Sequence, residues 1–189
     1  MSRWSAIRKA KAWLARQPVY LDTETTGLGP EAEVIEIAIV DSDGRPLLDT
    51  LIRPQGEVPL EASQVHGLTT VMLQGAPPWP QVWPQIQALL AGRLVLMYNA
   101  PYDLRVMEQT AARYRMAFDI PGAEFGDLLE LYSEFKGVRG PDGELRRWRL
   151  EQAGRELQIP IPNSHRALDD TLLAREVHRK IAAEPLPWG

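Results

Sequence analysis

Strand-like segments that first follow one another and then alternate with helical segments constrain the fold of this chain most. Three such segments, Val19–Thr23, Val34–Asp41 and Leu47–Arg53, come early, and a fourth, Leu94–Tyr98, reads as a buried strand. The turn Asp41–Gly44 predicts a hairpin between the second and third, because Asp, Ser and Gly favour tight turns. Helices are predicted at 1–17, 60–65, 81–91, 101–116, 148–157 and 167–182. The pattern predicts an α/β or α+β domain around one mixed sheet.

The length of 189 residues suits a single domain with one core. Residues 1–17 form a predicted amphipathic helix that Pro18 ends, and we expect it to pack on a domain of residues 18–189. No apolar run reaches the roughly 18 residues of a membrane span, and the basic N-terminus lacks the apolar core of a secretory signal. We therefore expect a cytoplasmic protein without membrane contact. The absence of cysteine excludes disulfides and thiolate zinc sites, so any metal must be held by oxygen or imidazole ligands.

Two acids stand on one predicted strand. Asp22 and Glu24 are two residues apart, so they point to the same face of that strand. Two carboxylates held this close repel each other unless a positive charge compensates, and divalent cations such as Mg²⁺ prefer carboxylate oxygens. For this pair alone, a strand end where both side chains point into solvent is an equally good interpretation.

Further acids and one histidine stand at the starts of predicted helices. Asp103 lies in the first turn of one helix, where the helix dipole alone also favours an acid. His165 precedes the last helix and Asp170 lies about one turn inside it, so both are able to face one cavity, whereas Asp169 is turned about 100° away. Each residue by itself also suits a capping or surface position. Four acids together with a histidine that titrates near neutral pH indicate a catalytic site instead.

The three segments together resemble the three motifs of the DnaQ-like (DEDDh) 3′→5′ exonuclease family, which includes the proofreading epsilon subunit of bacterial DNA polymerase III. The matching stretches are DTETTG at 22–27, NAPYD at 99–103 and HRALDD at 165–170. The four residues between His165 and Asp170 match the family's spacing, which selects Asp170 over Asp169. The resemblance spans about residues 18–182 and implies an α/β fold with an RNase H-like mixed five-stranded sheet flanked by helices.

The resemblance also implies the chemistry. It implies that Asp22, Glu24, Asp103 and Asp170 hold two divalent metal ions, Mg²⁺ or Mn²⁺, and that His165 takes the proton of the attacking water. The implied activity is a 3′→5′ exonuclease that releases nucleoside 5′-monophosphates from DNA 3′ ends. Two alternatives stay open: an exoribonuclease similar to RNase T or oligoribonuclease, and a catalytically silent nucleic-acid-binding module.

A pocket for the terminal nucleotide has counterparts here as well. By resemblance, seven residues belong to it: Thr25, Thr26, Leu28, Glu61, Ala62, Val65 and His66. To these we add Gly27, which suits a backbone close to a ligand, and Tyr102, whose ring is able to stack on a base. Plainer interpretations remain for three of the nine: His66 as an ordinary loop residue, Leu28 as core and Tyr102 as packing under the sheet.

The expected partner is a single-stranded or frayed 3′ end, with DNA favoured over RNA because DTETTG looks more like the DNA-proofreading branch of the family. The net charge of −4 does not itself predict nucleic-acid binding, but residues 136–149 hold five basic residues against two acids. This segment is either a phosphate-facing patch or a solvated face. Polymerase association stays open. The sequence ends soon after the last predicted helix, without the epsilon subunit's long tail, so we expect a free-standing monomer or homodimer.

Overall fold

The protein consists of a five-stranded sheet between two layers of helices. The structure is a computed structural model that describes residues 2–187. The strands are β1 (Val19–Thr25), β2 (Val34–Val40), β3 (Pro46–Leu51), β4 (Leu94–Met97) and β5 (Glu124–Asp127). The helices are α1 (Arg3–Ala15), α2 (Leu60–His66), α3 (Thr70–Leu73), α4 (Trp79–Leu90), α5 (Ala100–Arg113), α6 (Leu128–Lys136), α7 (Leu150–Glu156) and α8 (Ala167–Ala183). Met1, Trp188 and Gly189, at the ends of the two predicted segments 1–17 and 18–189, lie outside the described residues.

The strand order is β3-β2-β1-β4-β5, with β1 at the centre. β1 pairs antiparallel with β2, and β2 with β3, so the predicted hairpin is confirmed. β1 pairs parallel with β4, and β4 with β5, which makes the sheet mixed. The expected α/β class with a mixed five-stranded sheet flanked by helices is therefore confirmed.

Alternation along β1 divides its side chains between two cores. Val19 and Leu21 face a core shared with α4 and α5, where the rings of Trp79 and Trp83 stack at 5.2 Å. Tyr20 faces the other core, which is built with α1, α6, α7 and α8. Because side chains of a strand alternate, the residues that follow Tyr20 at intervals of two also point toward the α8 side.

The first helix is fixed to the α8 side by a buried histidine. His178 of α8 is fully buried, and its Nδ1 accepts a hydrogen bond from the Tyr20 hydroxyl at 2.8 Å. Its Nε2–H donates to the carbonyl of Ala10 in α1 at 2.9 Å. Burial lowers the pKa of His178 to about 4 although the Ala10 carbonyl opposes the shift, so the imidazole is neutral.

Two further contacts connect α1 to the end of α8. Arg3 forms an ion pair with Glu184 at 2.9 Å, and Lys11 Nζ donates to the carbonyl of Ala182 at 2.7 Å. None of the helices between residues 2 and 187 has both the length and the apolar character needed to cross a membrane.

Candidate active site

Three carboxylates meet between the central strand and α8. Asp22 and Glu24 follow Tyr20 on the α8 side of β1, and Asp170 lies in the first turn of α8. One oxygen from each of the three lies within 4.8 Å of the other two. This spacing suits a divalent cation, which takes carboxylate oxygens as ligands. We refer to Asp22, Glu24 and Asp170 as the acid trio.

The acid trio is electrostatically strained without a cation. Burial raises the pKa of Asp22 well above its usual range, and the nearby Asp103 and Glu24 raise it further. Burial likewise raises the pKa of Glu24 to about 8 and that of Asp170 to about 7. Buried acids that resist ionisation near neutral pH are typical of functional sites, and a cation would offset their mutual repulsion.

Asp103 reaches the site from the opposite side of the sheet. It lies in the first turn of α5, is 2% exposed, and accepts a hydrogen bond from the Thr23 hydroxyl at 2.6 Å. Burial raises its pKa to about 7. Its burial and its bond to β1 distinguish it from an exposed acid that only complements a helix dipole. The structure thus brings Asp103 beside Asp22 but outside the acid trio itself.

The loop before α8 holds His165 next to Asp170. The backbone N–H of Ser164 donates to Asp170 Oδ1 at 3.1 Å, and the Ser164 hydroxyl donates to Asp169 Oδ2 at 2.7 Å. His165 is exposed and its backbone is left-handed, with φ of +52°. Bonds to two successive aspartates of α8 therefore fix the turn from which His165 projects.

A further carboxylate, Glu36, supports the start of α8. It lies on β2 directly across from Glu24 and is 3% exposed. Its Oε2 accepts from the N–H of Ala167 at 3.0 Å, and its Oε1 accepts from Arg166 Nη2 at 2.6 Å. Ala167 is the first residue of α8, whose N–H has no partner within the helix. Glu36 was not predicted as a site residue, although its position as the single acid in the apolar stretch at 34–40 was an available signal.

A cavity of about 710 Å³ opens beside Glu24. All nine residues proposed for the terminal-nucleotide pocket line it: Thr25, Thr26, Gly27, Leu28, Glu61, Ala62, Val65, His66 and Tyr102. Thr23, Pro59 and Asn99 complete the lining together with Glu24. The residues come from the end of β1, the helix α2 and the start of α5, which are separated along the chain and meet at one end of the sheet.

Two of the plainer interpretations of these residues are wrong. His66 ends α2 and is 6% exposed, so it is not an ordinary loop residue. Its Nδ1 accepts from the N–H of Leu68 at 3.1 Å, which leaves Nε2–H to donate to the Thr25 carbonyl at 3.2 Å. Leu28 is 80% exposed at the cavity and is not core.

Tyr102 both packs on the sheet and lines the cavity. Its ring packs against the core shared with α4 and α5. Its hydroxyl donates to the carbonyl of Gly27 at 2.8 Å and lies within hydrogen-bonding distance of the Thr25 hydroxyl. The Thr25 hydroxyl also contacts the Gly27 carbonyl at 2.9 Å. The ring therefore packs on the core, as the packing interpretation expected, while the hydroxyl supports the backbone of the loop at 25–28 beside the cavity.

Comparison with known proteins relates the chain to nucleases. The RNase_T exonuclease family model matches residues 19–177. CP81, an uncharacterized exonuclease of Escherichia phage 186, is 34% identical over 168 residues, which cover 86% of this chain and 87% of the phage protein. The DNA polymerase III epsilon subunit of Rickettsia typhi is 27% identical over 85% of this chain and 71% of that subunit.

The fold also has a counterpart among solved structures. The nuclease domain of 3′hExo, a DEDDh family member bound to rAMP, has a TM-score of 0.67 and 16% identity over 84% of this chain and 88% of that domain. At this identity the likeness concerns the fold alone. The RNase H-like arrangement expected from the sequence is confirmed.

Proposed function

Because this chain belongs to the RNase_T exonuclease family and is of the DEDDh type, we propose that it removes nucleoside 5′-monophosphates from the 3′ ends of DNA strands with the help of two divalent ions. As a member of that family it is a metal-dependent 3′→5′ exonuclease. Single-stranded or frayed ends are the substrates that we expect, in DNA repair or proofreading.

The observation that carries the proposal is the acid trio beside the cavity. The three carboxylates have oxygens within 4.8 Å of one another, and burial disfavours their ionised forms. Folding a chain around such a group in its ionised form is unfavourable unless a cation binds there. Glu24 belongs both to the trio and to the cavity lining, so a strand end in the cavity would present its last phosphodiester to the carboxylates.

We propose that Asp22, Glu24, Asp103 and Asp170 hold Mg²⁺ or Mn²⁺. Bound ions at such sites lower the pKa of the attacking water and stabilise the leaving oxygen. Asp103 would contribute from the α5 side, where the Thr23 hydroxyl already orients one of its oxygens. The second oxygen of Asp103 would then be available as a ligand.

His165 is the proposed general base. A general base must be neutral to accept a proton, and histidine is the side chain most often used in this role. The hydrogen bond from Ser164 to Asp170 ties the backbone next to His165 to a proposed ligand. This connection would keep the imidazole near the attacking water without a direct bond to any acid.

The cavity is the proposed site of the terminal nucleotide. Its lining combines apolar groups with backbone polar groups, and Leu28 and Val65 expose 80% and 55% of their surface there. Apolar side chains at the cavity would pack against bases, and hydroxyl and carbonyl groups at 25–27 would contact the sugar.

Similarity to an epsilon subunit of DNA polymerase III supports DNA as the substrate. An exoribonuclease is the main alternative, because a protein of the same fold binds a ribonucleotide, rAMP. A silent binding module is the second alternative, and the retention of all five proposed catalytic positions argues against it.

The test is degradation of matched DNA and RNA oligonucleotides that carry a 5′ label, with Mg²⁺, Mn²⁺ or a chelator. We expect a ladder shortened from the 3′ end, nucleoside 5′-monophosphates as products, faster loss of DNA than of RNA, and no loss with the chelator. His165→Ala and Asp170→Asn, at two of the proposed catalytic positions, should lose most of this activity. Faster loss of RNA would favour the exoribonuclease, and binding without metal-dependent shortening would favour the silent module.

A further inference from the structure

We propose that Arg147 and Arg149 bind backbone phosphates of the substrate strand upstream of its terminal nucleotide. The two residues belong to a segment, residues 146–149, that we call the arginine strap. This inference rests on the proposed function, since it assigns the next part of the same strand a place on the protein.

The strap is fixed to the molecule by its one apolar residue. Trp148 is 8% exposed, and its carbonyl accepts a hydrogen bond from the Tyr98 hydroxyl at 2.9 Å. Tyr98 directly follows β4, so the strap lies against the end of the parallel pair of strands. Arg146 adds to this anchor, because its guanidinium lies 4.1 Å from the centre of a Trp148 ring.

Arg147 and Arg149 extend outward on either side of this anchor. Both are exposed while Trp148 between them is buried, as alternation along extended backbone requires. Arg149 has extended backbone angles, with φ of −69° and ψ of 152°. The side chains of both arginines therefore stand on the outer surface.

Arg147 connects the strap to the rim of the cavity. Its Nη2 donates to Asn99 Oδ1 at 3.0 Å, and Asn99 lines the cavity. Asn99 begins α5 in a left-handed conformation, with φ of 78°, and its side chain makes no capping bond to that helix. The Asn99 side chain is thus directed to the strap and not to the start of the helix.

Within the part of the chain that the structure describes, neither Arg147 nor Arg149 forms an ion pair with a carboxylate. Arg45 and Arg179, by contrast, are held by Asp41 and Glu176. Guanidinium groups without a carboxylate partner suit phosphate oxygens, which they bind in a bidentate way, and Arg147 holds one such group at the rim.

A terminal nucleotide bound in the cavity would restrict the path that the rest of the substrate strand takes across the protein surface. The last phosphodiester of the strand must lie at the acid trio, so the rest of the strand has to cross the rim. The acid trio repels phosphates that are not neutralised, and the protein as a whole carries a net charge of −4. Guanidinium groups at the rim would offset that repulsion and hold the strand in place.

Binding of a labelled single-stranded DNA 15-mer, measured by fluorescence anisotropy with Ca²⁺ to prevent cleavage, tests the inference. The variant is Arg147→Ala/Arg149→Ala. The control, Arg45→Ala/Arg179→Ala, removes the same charge outside the strap. Arg45 lies in the turn between β2 and β3, and Arg179 lies in the last third of α8. We expect the strap variant to bind DNA about tenfold more weakly at low salt. The slope of the logarithm of the association constant against the logarithm of the salt concentration should be smaller in magnitude by about 1.4, or about 0.7 for each phosphate contact. The control should stay close to the unaltered protein, and equal thermal unfolding midpoints establish that both variants are folded.

A dinucleotide distinguishes phosphate binding from an indirect effect through Asn99. Its single phosphodiester would lie at the acid trio, so its affinity should change less than that of the 15-mer. An equal loss for both lengths, a loss confined to duplex DNA, or no difference from the control would each overturn the inference. Because the assay requires no turnover, a protein that binds through the strap but does not cleave would contradict the proposed function alone. Cleavage with no effect of the strap would contradict this inference alone.

Discussion

At the scale of single residues, Glu36 connects the two elements that carry the acid trio. Its carboxylate lies on β2 but binds the first N–H of α8 and the guanidinium of Arg166. The separation between Glu24 on β1 and Asp170 on α8 therefore depends on a residue outside the trio. Partners of this kind around metal ligands commonly influence metal affinity and turnover.

Replacing Glu36 with Gln should lower the turnover of a labelled strand about 10- to 100-fold and raise the Mn²⁺ concentration that gives half-maximal turnover. The amide keeps the shape of the side chain but loses its charge and one of the two acceptor oxygens, so the start of α8 is released. Turnover as a function of Mn²⁺ concentration measures both effects. Glu31→Gln is the control, because that side chain is 87% exposed and only pairs with Arg113 at the surface. Equal activity of the two variants would show that Glu36 does not position α8.

Asp170→Asn should remove most activity, whereas Asp169→Asn should retain it. Asp170 belongs to the acid trio, whereas Asp169 accepts a hydrogen bond from the Ser164 hydroxyl, which an asparagine oxygen also accepts. Initial rates of 3′-end degradation distinguish the two. An active Asp170→Asn with an inactive Asp169→Asn would mean that the wrong aspartate was assigned.

At the scale of secondary-structure elements, the docking of α1 depends on the protonation of His178. Its pKa in the folded protein is about 4, below the usual 6.5 of an unfolded chain. Between these values the unfolded state binds more protons, so this contribution to stability is present above about pH 6.5 and is lost as the pH falls toward 4. The shift corresponds to about 3 kcal/mol in the free energy of unfolding.

We expect the difference in unfolding free energy between the unaltered protein and His178→Gln to shrink by about 3 kcal/mol from pH 7 to pH 4. Gln does not titrate, and the other ionisable groups contribute similarly to both proteins, so their effects cancel in the difference. Urea unfolding at several pH values measures it. A difference that does not change with pH would exclude His178 as the titrating group.

Elements were predictable where their sequence signal was long and apolar. Strands β1 to β4 and the helices α4, α5 and α8 were predicted with small errors at their ends, because continuous apolar runs or helical periodicity marked them. β5 and α6 were missed, since β5 has four residues, two of them acidic, and leads directly into the helix. The fifth strand was predicted from the family resemblance and not from the pattern of apolar residues.

The site was predictable to a different extent. Period two on β1 correctly placed Asp22 and Glu24 on one face, but no local pattern shows that Asp103 bonds to Thr23 on the opposite face. Glu36 and the contact between Arg147 and Asn99 depend on long-range packing, so they became visible only in the structure.

At the scale of the whole molecule, the acid trio lowers stability in the absence of metal. Its pKa values are raised, so the folded state binds more protons than the unfolded state between about pH 4 and pH 8, and stability falls as the pH rises through that range. A cation competes with those protons and should reverse the effect.

Saturating Mn²⁺ should raise the unfolding midpoint by about 5–10 °C at about pH 8.5 and by much less at pH 6. At the lower pH the carboxylates of Glu24 and Asp170 are largely protonated and bind the ion weakly. Calorimetry with and without the ion measures the rise, and Asp22→Asn should abolish most of it. Equal rises at both pH values, or in that variant, would show that Mn²⁺ binds elsewhere.

The central position of β1 has a consequence for insertions and deletions. β1 is paired on both sides, and its alternate residues are committed to two different cores. A shift of one residue would turn both acids into the core of α4 and α5 and expose leucine in their place. An insertion or deletion of one residue within β1 before Asp22 should therefore disrupt folding as well as the site.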